Sequence, residues 1–135
     1  MYKEERMDND YVDELVYEWD EVYKKGQLSL WVLLSLYDGK KYAAEIAEFM
    51  NRVTNGTFEV QEQSLYRALR RFKGMRMVSV SEEDSPNGGP KRKFYELTQI
   101  GKAVLAQFVE LHITPLTKHD IAVLLSSIQQ EGTKS

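Results

Sequence analysis

Between residues 62 and 97 the hydrophobic period of the chain changes from helical to extended, and this constrains the fold more than any other feature. Leu65, Ala68, Leu69, Phe72 and Met75 recur at helical spacing and predict a helix over about 62–75 with those side chains inward. Met77 to Glu82 follows a period of two, with Val78 and Val80 on one side. The run Ser85-Pro86-Asn87-Gly88-Gly89-Pro90 is a dense turn signal, and Lys91 to Leu97 returns as a strand. The expected unit is a helix followed directly by a glycine-tipped hairpin.

Upstream, Asp10 is placed to cap a first helix, with Val12, Leu15, Val16, Trp19, Val22 and Tyr23 as its apolar stripe. Gly26 is expected to end it, and Leu28 to Tyr37, apolar almost all round, reads as a short buried helix stopped by Asp38 and Gly39. A further helix is predicted from Tyr42 to Val53, with Ala43, Ile46, Ala47, Met50 and Val53 inward, followed by an extended piece from Thr57 to Val60. Downstream, Thr98 is an N-cap for a helix carrying Ile100, Val104, Phe108 and Leu111 and ending by Pro115. Thr117 and Asp120 have the spacing of a capping box before a last helix with Ile121, Leu124, Leu125 and Ile128, and the terminal Gln129–Ser135 is expected to fray.

This order predicts a mainly α fold with a small β-hairpin: a winged helix-turn-helix over 28–97, an amphipathic N-terminal helix over 1–27 and C-terminal helices over 98–131. The 135 residues, 42% of them hydrophobic, suffice for one compact domain with appended helices. Apolar faces on the outer helices exceed what one small winged helix covers, so both flanking segments are expected to build a two-fold homodimer interface. The absence of cysteine excludes disulfides and thiolate metal sites, and no apolar run is long enough to span a bilayer. A cytoplasmic protein is expected.

The net charge of -3 conceals a strong polarity. Residues 1–27 carry nine acidic and four basic side chains, a balance of -5, whereas residues 61–95 carry eight basic and four acidic, a balance of +4. A helix whose outer face presents Gln63, Arg67 and Arg70 suits base edges in a DNA major groove. Ser64, Arg71, Lys91, Arg92 and Lys93 suit phosphates, and Tyr66 suits either a phosphate contact or packing beside Leu69. A charged outer face alone commonly means only solvation, but a basic helix beside a wing opening with three cations favours DNA. Neither His112 nor His119 has a Cys or His partner close in sequence, so no enzyme, cofactor or metal site is read from the chain. The alternative function is a winged helix that contacts proteins through its acidic N-terminal helix without sequence-specific DNA binding.

The stretch from Leu28 to Leu105 resembles the PadR family of bacterial winged-helix regulators, on the segments LSLWVLLSLYDG, AAEIAEFM, FEVQEQSLYRALRRF, SPNGGPKRKFYELT and LTQIGKAVL in that order. The resemblance implies a homodimer on a pseudo-palindromic operator, acting as a repressor. It sets Tyr66 on the family's recognition-helix tyrosine and Arg70, Arg71, Lys91, Arg92 and Lys93 on its basic positions. It also implies release by a small aromatic or phenolic effector, with Trp19 and Trp31 as stacking candidates, although tryptophans on helical apolar faces usually serve the core. Two segments depart from the family pattern: Gln61-Glu62 stands where a Ser-Pro pair is common, and Tyr42-Ala43-Ala44-Glu45 stands for His-Gly-Tyr-Glu, so the family's tyrosine contact there is not carried over.

Overall fold

The computed structural model describes residues 2–85 and 87–134, so Pro86 of the wing-tip turn and Ser135 of the expected frayed end lie outside the described residues. Elements follow as α1 (Tyr2–Ser35), β1 (Lys41–Tyr42), α2 (Ala43–Val53), α3 (Glu62–Gly74), β2 (Val78–Glu83), β3 (Arg92–Leu97), α4 (Gln99–His112), a 3-10 turn (Thr114–Thr117) and α5 (His119–Lys134). The sheet is antiparallel with order β1-β3-β2; Val80 faces Tyr95 and Tyr42 faces Phe94 across it.

The N-terminal half corrects the expected pair of helices. One α1 of 34 residues runs through Gly26, and Asp10 lies inside it rather than at a cap. A helical glycine costs about 1 kcal/mol relative to alanine, too little to interrupt a stripe that continues in phase from Trp19 and Tyr23 to Leu30 and the buried Leu33. The end of α1 is instead set by side chains: Ser35 Oγ donates to the Val32 carbonyl at 2.6 Å, and Lys41 Nζ donates to the Ser35 carbonyl at 2.5 Å while pairing with Asp38 at 2.6 Å. Carbonyls without helical partners are thereby satisfied.

The core gathers Val32, Leu36, Ile46, Met50 and Leu69, all at most 1% exposed, with Leu65, Phe72, Val78, Tyr95, Leu97 and Leu105 around them. Three side chains expected inside are not: Val53, Met75 and Tyr37 are 37%, 48% and 67% exposed. Each sits at or beyond a helix end, where the chain turns away from the periodic face. After Gly74, Arg76 adopts a positive φ of 60°, and this turn leaves Met75 outside while driving Met77 into the core.

Thr98 caps α4 as expected, its Oγ1 accepting from Gly101 N–H at 3.0 Å and donating to the Arg76 carbonyl at 2.6 Å. The Thr117 capping box does not form: the Thr117 hydroxyl donates to the Thr114 carbonyl at 2.7 Å, closing a 3-10 turn, and α5 starts only at His119. The last helix extends to Lys134 rather than fraying at Gln129. The apolar stripes of α1, α4 and α5 remain uncovered in the single chain, with Val16, Trp19, Phe108, Leu111, Leu124 and Ile128 all exposed.

Candidate nucleic-acid interface

Burying Leu65, Ala68, Leu69 and Phe72 turns the opposite face of α3 outward, so Gln63, Arg67 and Arg70 share an exposed surface. Ser64 and Tyr66, half-buried, edge this surface on opposite flanks. Arg71 leaves the group: its guanidinium donates to Ser29 Oγ of α1 at 2.9 Å and lies 5.3 Å from the Phe72 ring centre.

The Tyr66 flank meets the wing. Tyr66, Lys91, Arg92 and Lys93 line an open cleft of about 460 Å³ together with Tyr42, Ala43, Ala44 and Tyr95. The arrangement depends on β1, whose two residues pair with β3 and bring the start of α2 beside the cations. Arg92 rests 4.5 Å from the centre of the Tyr42 ring, and that ring meets Phe94 edge-on at 5.6 Å. A guanidinium over an aromatic face is held electrostatically without losing its charge. Burial pushes the Tyr95 phenol above its ordinary value; Tyr66 adds to the shift and Arg70 opposes it.

Three carboxylates around the sheet have partners of their own. Glu45 accepts the Tyr42 N–H at 3.2 Å. Glu83 pairs with Lys40 at 2.7 Å and accepts from Ser81 at 2.9 Å; those hydrogen bonds, Lys40 first, hold its carboxyl below the usual range. Lys41 does the same to Asp38.

Sequence reasoning therefore reached the outer face of α3 and the wing cations but missed Tyr42, Tyr95 and the first turn of α2. No local signal marks a two-residue strand, and Tyr95 follows the same inward alternation as Leu97. The tryptophans do not converge. Trp19, 75% exposed, borders a groove with Tyr23, Leu30, Phe108 and Leu116. Trp31 lines another cavity with Val53, Thr54, Thr57 and Phe58, and its buried Nε1 has no hydrogen-bond partner. His112 packs its ring 4.7 Å from that of Phe108, and among the described residues no three His, Cys, Asp or Glu side chains gather as a metal set. No described helix is long and apolar enough to cross a membrane.

A three-helix core carrying an exposed helix α3 beside an antiparallel wing defines a winged helix-turn-helix protein. The chain belongs to the PadR-like family of transcriptional regulators, whose family model matches residues 32–107. An uncharacterized protein from Lysinibacillus sphaericus is 30% identical over 86 residues, which are 64% of this chain and 78% of that relative. A PadR-like transcription factor from Bacteroides fragilis is 30% identical, with a TM-score of 0.54 over 72% of this chain and 94% of its own. Bacillus subtilis PadR, solved in complex with operator DNA, shares the fold at 17% identity, with a TM-score of 0.55 over 61% of this chain and 46% of its own. Most of α1 and everything after residue 107 lie outside the family match.

Proposed function

We propose that this transcriptional regulator binds a pseudo-palindromic operator as a homodimer and represses transcription from the cytoplasm. The observation that carries the reading is the continuity of two surfaces, since the exposed Gln63, Arg67 and Arg70 face adjoins, at Tyr66, a cleft lined by Lys91, Arg92 and Lys93. Gln63, Arg67 and Arg70 are proposed to meet base edges, and Ser64, Tyr66 and the wing cations to meet phosphates. Arg71, tied to Ser29, is assigned to bracing α3 against α1 rather than to DNA. The related fold solved on operator DNA supports this reading.

Dimerisation is assigned to residues 1–27 and 98–131, and DNA binding to 28–97. The support is the uncovered apolar surface on α1, α4 and α5, because contiguous exposed apolar patches of this kind mark association sites. A small aromatic or phenolic effector is proposed for the groove of about 380 Å³ beside Trp19; Trp31, in a separate cavity, is not assigned to it. Quenching of intrinsic fluorescence that survives Trp19→Phe would remove Trp19 from that site.

Fluorescence anisotropy with its own promoter and a scrambled duplex, over a salt series, tests the main reading. Preferential promoter binding that weakens steeply with salt is the expected result. Equal, weak binding to both duplexes would favour a protein-contact role through the exposed stripe of α1.

A further inference from the structure

Asp20, Lys24, Gln27 and Trp31 follow one another at helical spacing and give α1 a second stripe, one residue round from the apolar one that carries Trp19, Tyr23 and Leu30. This stripe forms one wall of a cavity of about 280 Å³, and Val53, Thr54, Thr57 and Phe58, from the connection between α2 and α3, form the other. The polar groups on these walls are largely spent on one another. Lys24 pairs with Asp20 at 3.0 Å. The Thr54 hydroxyl donates to the Met50 carbonyl at 2.7 Å and accepts the Phe58 N–H at 3.2 Å, and the Thr57 hydroxyl donates to the Thr54 carbonyl at 2.6 Å. Trp31 is the exception. Its side chain packs partly buried against the core, and its Nε1 is shielded from solvent with no hydrogen-bond partner. Buried polar groups are overwhelmingly paired, so a shielded N–H on a residue that lines a cavity marks a place where an acceptor belongs.

We propose that this cavity binds a small uncharged molecule through a carbonyl-type acceptor that takes the Trp31 Nε1–H, with an apolar body lying against Val53 and Phe58. The indole N–H is a donor only, so the group it recognises is an acceptor. That acceptor is uncharged because Nε1 is shielded: whatever reaches it leaves its water behind, which costs a carboxylate far more than a carbonyl. The cation on the same wall is already neutralised by Asp20. The molecule is small because the cavity lies just under the roughly 300–1,000 Å³ of pockets that take drug-sized ligands. The site is separate from the groove beside Trp19, with which it shares only Gln27. Its second wall leads directly into α3, so an occupant is held against the segment that seats the exposed helix. The inference does not rest on DNA binding or on dimerisation.

The probe is caprolactam, a neutral ring with one carbonyl, titrated into the isotope-labelled full chain and followed by nuclear magnetic resonance. Cyclohexanecarboxylate, a ring of similar size carrying a charge, is the comparison. The chain has two tryptophans and therefore two indole N–H signals, which Trp19→Phe assigns. Caprolactam should move the Trp31 signal saturably and leave that of Trp19 in place. The Thr57 and Phe58 backbone amides should follow with the same Kd, and the lactam ring should show Overhauser contacts to the Trp31 N–H. Trp31→Phe keeps an aromatic ring and loses the N–H. Its binding, read at the Thr57 and Phe58 amides, should be about tenfold weaker, as expected for one hydrogen bond lost. Undiminished binding by a folded Trp31→Phe would overturn the role of the indole, and tighter binding of cyclohexanecarboxylate would overturn the uncharged class. Should Trp31→Phe lose its dispersed spectrum, saturation and Overhauser contacts in the native protein decide alone. A Trp31 shift that grows without saturating, with Overhauser contacts from its N–H to water only, would assign that donor to solvent and overturn the site.

Discussion

Replacing Gly101 with alanine puts a methyl group into the first turn of α4, where that turn packs directly on the backbone leading into β2. The added Cβ overlaps the Met77 carbonyl oxygen and comes within 3.0 Å of the Met77 carbonyl carbon and 3.2 Å of Leu97 Cδ2. The first two neighbours are backbone and cannot rotate aside, so α4 must lift from β2. That movement strains the Thr98 N–H bond to the Met77 carbonyl at 3.0 Å and the Thr98 hydroxyl bond to the Arg76 carbonyl at 2.6 Å. Overpacking costs about 1–3 kcal/mol, and each weakened hydrogen bond adds about 1 kcal/mol. The helix-propensity gain of alanine over glycine returns about 1 kcal/mol. A net loss of about 3 kcal/mol is expected, a large part of the roughly 5–15 kcal/mol that holds a typical domain together. Thermal and urea unfolding followed by circular dichroism should show a melting temperature lower by roughly 10 °C. A variant melting within about 2 °C of the native protein would refute the assignment of Gly101 to close approach of α4 and β2.

Other perturbations address the interface and the wing. Arg70→Ala should cost promoter binding roughly tenfold, as expected for one base contact, and change scrambled-duplex binding less, in the same anisotropy assay. Neutralising Lys91, Arg92 and Lys93 together should weaken both duplexes and flatten the dependence of log affinity on log salt by about 2–3 units. Because the folded Glu83 carboxyl lies below its ordinary value of 4.5, its pairing with Lys40 contributes stability above that pH and loses it as the pH falls through the lowered folded value. The difference in melting temperature between native protein and Glu83→Gln should therefore be present at neutral pH and close on acidification. Trp19→Asp should shift sedimentation from dimer to monomer at micromolar protein, and an unchanged dimer would remove α1 from the association surface.

Local pattern was sufficient where one face of an element is buried against the body. The helical spacing of Leu65, Ala68, Leu69 and Phe72 and the alternation of Val78 and Val80 reported both the element and its direction, which is why the exposed side of α3 could be read before any coordinate. Thr98 and the glycines at the wing tip were legible for the same reason: cap and turn chemistry act within a few residues, and Gly88 and Gly89 do adopt φ of 76° and 93°.

Tertiary structure decided whatever depends on residues far apart in the chain. Gly26 was read as a break because its own preference is visible in sequence, whereas the continuous stripe that keeps α1 helical draws on a core reached only at Val32 and Leu33. Arg71 was read as a phosphate contact flanking Arg70, but one step of 100° turned it toward Ser29, 42 residues away. The separation of Trp19 from Trp31 follows from the same rotation around one helix. Pairing of Tyr42 with Phe94, 52 residues on, brought the start of α2 to the wing cations, so that both line one cleft. The sequence by itself determined α3, the two wing strands and the Thr98-capped α4, with the charges they carry, because these follow from local period and cap. Which side chains share a site was decided only by folding, because that depends on how rotations about separate axes combine when the elements pack.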